Sequence, residues 1–355
     1  MSVIFQSLLP FVVIIVLLVL AHETGHFITA KLSGVRVLEF GVGFPPRIAA
    51  FKRGETEYSI NALPLGGFVR MLGEEDPNHP DSLAANPPLT RIVVLSAGAF
   101  MNFILAIVLF TTGFMIPREV PVGRPVISEV AAGAPAAEAG LKAGDVIYKI
   151  NGRNIQNVSD AGYNIRLNLG EKLTMTVKRG RDFLDLQVKA RWAPPADQGP
   201  TGIVIGSQYP FTETQSYPPW KALPLGVRST FDALKLARNE VISWFKGAAR
   251  PQVAGPVGIA QATGEVVKEA GWKSLMDLAA LLSINLAVIN ILPLPFLDGG
   301  RIMFVLLEIL RRGRRIAPQK EALVHLAGLA FFMVLVVVIS YFDIVRLIHG
   351  DAFFR

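Results

Sequence analysis

The most constraining feature of this chain is a cluster of ionisable residues at the end of a long uncharged segment. Residues 1–21 contain no Asp, Glu, Lys or Arg, and the sequence HETGH follows at 22–26. Side chains four positions apart share one helix face, so the imidazoles of His22 and His26 can converge on one zinc ion. Glu23 is placed to act as a general base. Because ionisable groups are costly inside a bilayer, this segment predicts a membrane helix with a functional metal site.

The composition predicts a membrane protein. Of the 355 residues, 51% are hydrophobic and only 18% are charged, below the roughly 25% that is usual for soluble domains. The fold class we predict is a polytopic α-helical membrane protein with four transmembrane helices. Four segments free of Asp, Glu, Lys and Arg are long enough to span a bilayer, namely Met1 to Ala21, Ile92 to Ile116, Leu278 to Leu297 and Ala322 to Phe342.

The distribution of positive charge orients these spans. The formal net charge is +7, but the sequence has no basic face with interleaved aromatic residues, so we expect no nucleic-acid partner. The link between the third and fourth spans is strongly basic, with Arg311, Arg312, Arg314, Arg315 and Lys320. Basic loops face the cytoplasm. We therefore expect residues 31–91 on the cytoplasmic side of the bilayer, and residues 117–277 with both termini on the outer side.

A glycine-rich β-hairpin is predicted between the first two spans. Val35 to Phe40 and Glu57 to Ile60 are typical of short strands, separated by the stretch 41–46 and followed by 64–68. Such a hairpin beside a membrane site could enter the bilayer as a re-entrant element, provided that protein or water satisfies its backbone. A plain cytoplasmic hairpin is the alternative. We expect this membrane-associated hairpin and a polar connector within residues 31–90.

Residues 122–190 predict a strand-rich (α+β) domain outside the cytoplasm. The string AGLKAGDVIYKING at 139–152 resembles PDZ domains of the bacterial protease type. PDZ domains bind an extended peptide by strand addition. One copy is present, and the Pro/Gly-rich stretch 191–219 is predicted to be a linker. An amphipathic helix follows within residues 191–270, and the sequence GPVGI at 255–259 is predicted to break the chain before the third span.

A third metal ligand is predicted at the end of the third span. Catalytic zinc sites use three protein ligands and leave a fourth position open. The chain lacks cysteine, so the ligands must be His or carboxylate. Asp298 follows twenty uncharged residues within NILPLPFLDGG at 290–300, where two prolines interrupt the helix. Since the first and third spans run in the same direction, we expect Asp298 at the depth of His22 and His26. A carboxylate that caps a helix is the alternative for Asp298.

Together these motifs resemble the site-2 protease family of intramembrane zinc metalloproteases. The resemblance rests on HExxH in the first span, NxxPxPxxDG in a later span and the PDZ-like domain between them. It covers the full length and is nearest to the bacterial branch that includes the sigma-E-regulating protease, whose best-known members carry two PDZ domains. The resemblance implies one zinc ion per chain, held by His22, His26 and Asp298, with Glu23 as the catalytic base.

The resemblance also implies a substrate class and a location. Substrates would be single-pass membrane proteins, such as anti-sigma factors or signal-peptide remnants, already shortened by an upstream site-1-type protease. The enzyme would lie in the bacterial cytoplasmic membrane, with its active site near the cytoplasmic side. Asn290 is a candidate oxyanion or substrate contact. Gly66, Gly67 and Phe68 are candidates for presenting an extended substrate strand.

Two other functions remain open from the sequence. A PDZ-bearing membrane scaffold with an inactive metal site would be expected to lack Glu23 or a ligand. A metal transporter would be expected to show repeated or broken elements along a path. The predicted segments are, in chain order, a first transmembrane helix 1–30, the hairpin region 31–90, a second helix 91–117, the PDZ domain 122–190, the linker and amphipathic helix 191–270, a third helix 273–312 and a fourth helix 320–348.

Overall fold

The structure, a computed structural model, describes residues 7–74, 78–248, 254–350 and 352. Within these residues, four helices are long and apolar enough to cross a membrane. The chain therefore has the fold of a polytopic membrane protein with additional β-sheet regions. The four helices are Leu9–Leu32, Pro88–Met115, Trp272–Ile291, which includes a short 3-10 turn, and Pro318–His349.

The described residues form two compact units, one of residues 7–74, 78–113, 223–230 and 254–350, and the other of residues 114–222 and 231–248. Both units contain helices and strands. In chain order they are α1 Leu9–Leu32, β1 Val37–Arg53, β2 Thr56–Met71, α2 Pro88–Met115, β3 Arg118–Val130, α3 Pro135–Glu138, β4 Val146–Ile150, β5 Arg153–Asn154, α4 Val158–Leu167, β6 Lys172–Arg179, β7 Asp182–Lys189, β8 Ile203–Gln215, α5 Pro219–Phe245, α6 Pro256–Ala270, α7 Leu275–Ile291, α8 Asp298–Leu310 and α9 Pro318–His349.

In the first unit, α1 and α2 cross in backbone contact. A Cβ atom on Gly25 of α1 would overlap the carbonyl group of Ala97 on α2, so only glycine allows this crossing. A buried ion pair, 2.5 Å between Arg91 and Glu308, links α2 to α8. A buried apolar cluster lies nearby and comprises Ala30, Val35, Val37, Met71, Leu83, Val94, Leu95 and Val305.

The third predicted span is two helices and not one. α7 ends at Ile291, and α8 begins at Asp298. Pro293 and Pro295 lie between them and cannot donate helical hydrogen bonds, which explains the break. Phe296 adopts a left-handed backbone with φ of 80°. The break turns the chain just before Asp298.

The hairpin strands are longer than predicted. β1 continues from Val37 to Arg53, because the glycine- and proline-rich stretch 41–46 remains extended. Glu39 of β1 pairs with both Arg70 and Glu57 of β2, so this part of β1 lies between two stretches of β2. The stretch 66–71 is therefore an edge. Within the described residues, β1 is its one strand partner.

The second unit is built on an antiparallel sheet with the strand order β7-β6-β4-β3-β8, and β5 pairs with β4. Its apolar core includes Ile127, Ile147 and Leu173, all at most 1% exposed. Asn157 caps α4 by accepting the backbone N–H of Asp160 at 2.8 Å.

Two expectations for irregular segments are wrong. Within the stretch 191–219, predicted as a linker, β8 forms a long strand that pairs with β3 along most of its length. The surrounding prolines and glycines are typical of a loop, so the sequence does not indicate this strand. The stretch 255–259 begins a helix, since Gly255 is the N-cap of α6 and Pro256 its first residue. The backbone N–H groups of Gly255 and Gly258 donate to the Asp343 carboxylate at 2.9 and 2.8 Å.

Candidate metal centre

Two helices bring three candidate metal ligands together. His22 and His26 lie one turn apart on α1, and Asp298 is the first residue of α8. Oδ2 of Asp298 lies 3.0 Å from Nε2 of His22 and 3.2 Å from Nε2 of His26. The two Nε2 atoms are 3.2 Å apart. Among the described residues, these three form the one group of His and carboxylate side chains spaced to hold a metal ion.

The triangle of ligand atoms has the dimensions that zinc requires. An ion bound tetrahedrally at about 2.0 Å has ligand atoms about 3.3 Å apart, close to the separations of 3.0–3.2 Å seen here. Two imidazoles and a carboxylate are also a usual donor set for catalytic zinc. Both histidines are buried, with 8% and 5% exposure, so the ligand atoms are shielded from bulk water.

The outer nitrogen of His26 is fixed by the backbone of α2. Its Nδ1 lies 2.8 Å from the carbonyl oxygen of Val94. A carbonyl can only accept a hydrogen bond, so Nδ1 carries the proton and donates it. In the neutral imidazole, Nε2 is then unprotonated, with its lone pair directed at the ligand triangle. This is the tautomer that metal binding through Nε2 requires.

The outer nitrogen of His22 faces two amide side chains. Nδ1 of His22 lies 3.3 Å from Nδ2 of Asn102 on α2 and 3.4 Å from Nδ2 of Asn290 on α7. Both asparagines are buried, Asn102 completely so. The structure thus brings Asn290, predicted as an oxyanion or substrate contact, next to a candidate ligand.

One face of α2 packs against the two histidines. Val94, Gly98 and Asn102 are spaced four apart and therefore lie on one side of the helix. A Cβ atom on Gly98 would lie 2.6 Å from Cε1 and 2.7 Å from Nε2 of His22, and closer still to Nε2 of His26. Sequence reasoning did not identify this role of Gly98. The spacing of Gly98 and Asn102 places both on one face of α2, but it does not indicate which helix that face meets.

Glu23 lies between the metal centre and the hairpin. It is half-buried, and the backbone of Val69 in β2 hydrogen-bonds to its carboxylate. A Cβ atom on Gly67 would lie 3.5 Å from Cγ of Glu23. Of the residues predicted to present substrate, Gly67 thus faces Glu23, whereas Gly66 lies against Phe44 on the other side of the strand. Phe68 packs over Gly41 of β1.

The turn that carries Asp298 is held by α9. The backbone N–H of Phe296 donates to Nδ1 of His325 at 2.8 Å. One turn further along α9, a Cβ atom on Gly328 would lie 3.0 Å from the carbonyl carbon and oxygen of Pro295. The ring of Phe296 also contacts Phe332, with centroids 5.5 Å apart. These contacts come from one face of α9 and position the turn that leads into α8.

Known proteins are similar in sequence to this chain over nearly its whole length. A model of peptidase family M50 matches residues 10–335. The chain is 31% identical over 426 aligned residues to the regulator of sigma-W protease RasP of Bacillus subtilis, covering 96% of this chain and 99% of that protein. It is 29% identical over 431 aligned residues to zinc metalloprotease RasP of Oceanobacillus iheyensis, with 96% and 99% covered.

A third relative, from Clostridium perfringens, also carries zinc metalloprotease in its name. It is 36% identical over 346 aligned residues, which cover 92% of this chain and 95% of that protein. The predicted resemblance to the site-2 proteases is confirmed by these matches, and zinc is confirmed as the cofactor. The chain belongs to peptidase family M50, the site-2 protease family, and is a zinc metalloprotease.

Proposed function

We propose that His22, His26 and Asp298 hold the zinc ion and that the enzyme cleaves peptide bonds within transmembrane segments. The observation that carries this proposal is the triangle of ligand atoms, 3.0–3.2 Å on each side, formed by α1 and α8. α1 is also one of the helices long and apolar enough to cross a membrane. The proposed reaction therefore takes place within the bilayer.

Glu23 acts as the general base and acid in this proposal. Zinc, when bound, polarises the scissile carbonyl and makes an attacking water more acidic. The Glu23 carboxylate, adjacent in sequence to His22, takes the proton of that water and returns it to the leaving amine. Asn290 is retained as a candidate donor to the oxyanion or the substrate, since its amide lies 3.4 Å from His22.

The edge of β2 presents the substrate. The carbonyl groups of a transmembrane helix are engaged in hydrogen bonds within the helix. The substrate helix must therefore unwind locally before cleavage. The stretch 66–71 is an edge that can accept an extended chain as an added strand. Gly67 on this edge faces Glu23. The hairpin also exposes Phe44, Ile48 and Phe51, by 45%, 69% and 64%, which fits a membrane-associated element.

The second unit is proposed to be a PDZ domain that selects substrates. It contains the AGLKAGDVI string, and β8 lies at the edge of its sheet with α4 in contact. An edge strand beside a helix is the arrangement by which PDZ domains add a peptide strand. The domain would admit only single-pass proteins already shortened by a site-1-type protease.

The proposed location is the bacterial cytoplasmic membrane. Arg311, Arg312, Arg314 and Arg315, between α8 and α9, are all exposed, as expected of a cytoplasmic loop. Both termini and the PDZ domain would then lie outside the cytoplasm and the metal site near its cytoplasmic side. Since the Bacillus relative is named for regulation of sigma-W, we include anti-sigma factors, together with signal-peptide remnants, among the proposed substrates.

Cleavage of a single-pass model substrate by the purified protein in detergent tests this function. Wild type should cut within the transmembrane segment, and faster when the outer domain of the substrate has been removed. Glu23→Gln should lower the rate at least about 1,000-fold, within the range for loss of a general base. Glu269→Gln, an exposed glutamate on α6, is the matched control and should behave as wild type. A chelator should stop cleavage and zinc should restore it.

Two results would contradict the proposal. One is cleavage by Glu23→Gln at the wild-type rate. The other is the absence of product from several pre-trimmed substrates while the protein holds its zinc.

A further inference from the structure

Asn102 has an unusual position for an amide in a membrane helix. Its side chain is completely buried, and its Oδ1 atom has no hydrogen-bond partner within the described residues. Its one side-chain hydrogen bond there is from Nδ2 to Nδ1 of His22, at 3.3 Å. A buried amide with so few partners is costly. Such a cost is expected where a buried polar group serves a functional contact, and the contact here is with His22.

The observed orientation of this amide conflicts with metal binding at His22. When Nδ2 of Asn102 donates to Nδ1 of His22, the proton of the neutral imidazole lies on Nε2. Nε2 is the atom that faces Asp298 at 3.0 Å and His26 at 3.2 Å. A metal ligand must present an unprotonated nitrogen, so Nδ1 must carry the proton instead and needs a hydrogen-bond acceptor.

Asn102 can supply that acceptor by a half-turn of its amide group. The rotation places Oδ1 where Nδ2 lies and breaks no hydrogen bond at Oδ1, because that atom has none. The backbone of Asn102 is held in place, since Ser283 of α7 donates to its carbonyl oxygen at 2.8 Å. His26 already has its equivalent acceptor in the carbonyl of Val94.

We propose that Asn102 is a positioning residue for zinc, which accepts a hydrogen bond from Nδ1 of His22 and fixes its metal-binding tautomer. This leaves the amide of Asn290 free to contact the substrate. The inference rests on the proposed function in that it takes His22 as a zinc ligand. The inference goes beyond the proposed function because it gives Asn102 and Asn290, which both face His22, separate roles.

The test is zinc affinity, measured on the full-length protein in detergent by competition with a chromophoric chelator. Asn102→Leu keeps the size of the side chain and removes the acceptor, so zinc should bind about 10–100-fold more weakly, as for other partners of metal-binding histidines. Asn102→Asp offers acceptor oxygens only and should bind zinc at least as tightly as wild type. Asn290→Leu should keep wild-type zinc affinity and lose substrate turnover.

Several results would overturn the inference. These are wild-type zinc affinity in Asn102→Leu, or zinc affinity in Asn102→Asp at least about tenfold weaker than in wild type. A loss of affinity confined to Asn290→Leu would also overturn it. Because Asn102→Asp tests the acceptor role alone, the comparison with wild type holds even if Asn102→Leu does not fold. His22→Phe separates the two proposals, because unchanged zinc affinity in that variant contradicts the proposed function itself.

Discussion

Gly98 of α2 lies so close to His26 that a Cβ atom on Gly98 would overlap Nε2 of the imidazole. A Cβ atom there would also lie 2.7 Å from Nε2 of His22, so α2 approaches both candidate ligand atoms with its bare backbone. Gly98→Ala is therefore expected to push the imidazoles apart. We predict that it weakens zinc binding at least tenfold, about 1.4 kcal/mol, as measured by chelator competition.

Gly162→Ala is the matched control for this substitution. Gly162 lies inside α4, and a Cβ atom there would meet no atom within 4 Å. The control should leave zinc affinity unchanged and raise stability by up to about 1 kcal/mol, the usual gain from alanine in a helix. Equal zinc affinities for Gly98→Ala and wild type would contradict the close approach of α2.

Proline substitutions along the stretch 66–71 test the edge of β2 as the substrate platform. Successive N–H groups of a strand point to opposite sides, so every second position faces away from β1. Proline at those positions, apart from Val69, whose backbone already hydrogen-bonds to Glu23, should impair cleavage of a membrane substrate while leaving zinc content unchanged. Cleavage rates measured across the series should fall with a period of two. Unchanged turnover at every position would exclude this edge from substrate binding.

Gly328 of α9 tests the support of the turn that carries Asp298. A larger side chain would press on the carbonyl group of Pro295, which lies 3.0 Å from the position of an added Cβ atom. Overpacking of this kind typically costs about 1–3 kcal/mol. Gly328→Leu should therefore displace Asp298 and reduce both zinc affinity and cleavage rate. Val334→Leu, at a position of α9 that is 63% exposed, should change neither.

The second unit contains a pH-sensitive ion pair. Burial opposes ionisation of Asp145, but hydrogen bonds from Arg179 and from the backbone of Lys142 outweigh it and hold the pKa of this carboxyl below its ordinary value of 3.8. Arg179 forms a bidentate ion pair with this carboxylate: its Nε donates to Oδ1 at 2.7 Å and its Nη2 donates to Oδ2 at 2.8 Å. Since the folded-state pKa is the lower one, the pair stabilises the unit above about pH 3.8, and this contribution is lost as the pH falls through the folded-state pKa.

Arg179→Met should consequently destabilise the second unit at neutral pH. The loss should be smaller than for a fully buried pair, because the Arg179 side chain is one-third exposed to solvent. Hydrogen exchange of the β4 and β6 amides should be faster at pH 7, and its difference from wild type should shrink below pH 3.8. Arg181→Met, an exposed neighbour, should show no such difference. A difference that is constant between pH 3 and 7 would contradict this account.

The sequence predicted four segments long and apolar enough to cross a membrane and the three residues of the candidate ligand triangle. Charges and histidines in an apolar segment are conspicuous because lipid cannot solvate them. The spacing of His22 and His26 defines one helix face, and Asp298 follows a proline-interrupted span. Each of these signals is local in the chain.

The contacts of Gly98 and Asn102 depend on helices that cross, and no local pattern reports which face meets which helix. Glycine and asparagine in a membrane helix are equally typical of ordinary helix packing. For β8, the pairing partner β3 lies more than seventy residues earlier in the chain, while the flanking prolines and glycines suggest a linker. Sequence reasoning fails here because the stabilising contacts are distant.

The most direct test of the central claim is the zinc content and affinity of three purified proteins. Wild type and Glu23→Gln should each hold one zinc ion per chain with similar affinity, although only wild type cleaves substrate. Asp298→Ala should bind zinc more than about 100-fold more weakly, since loss of an outer-shell partner alone costs 10–100-fold. Zinc bound as tightly by Asp298→Ala as by wild type, or lost from Glu23→Gln together with activity, would contradict the account.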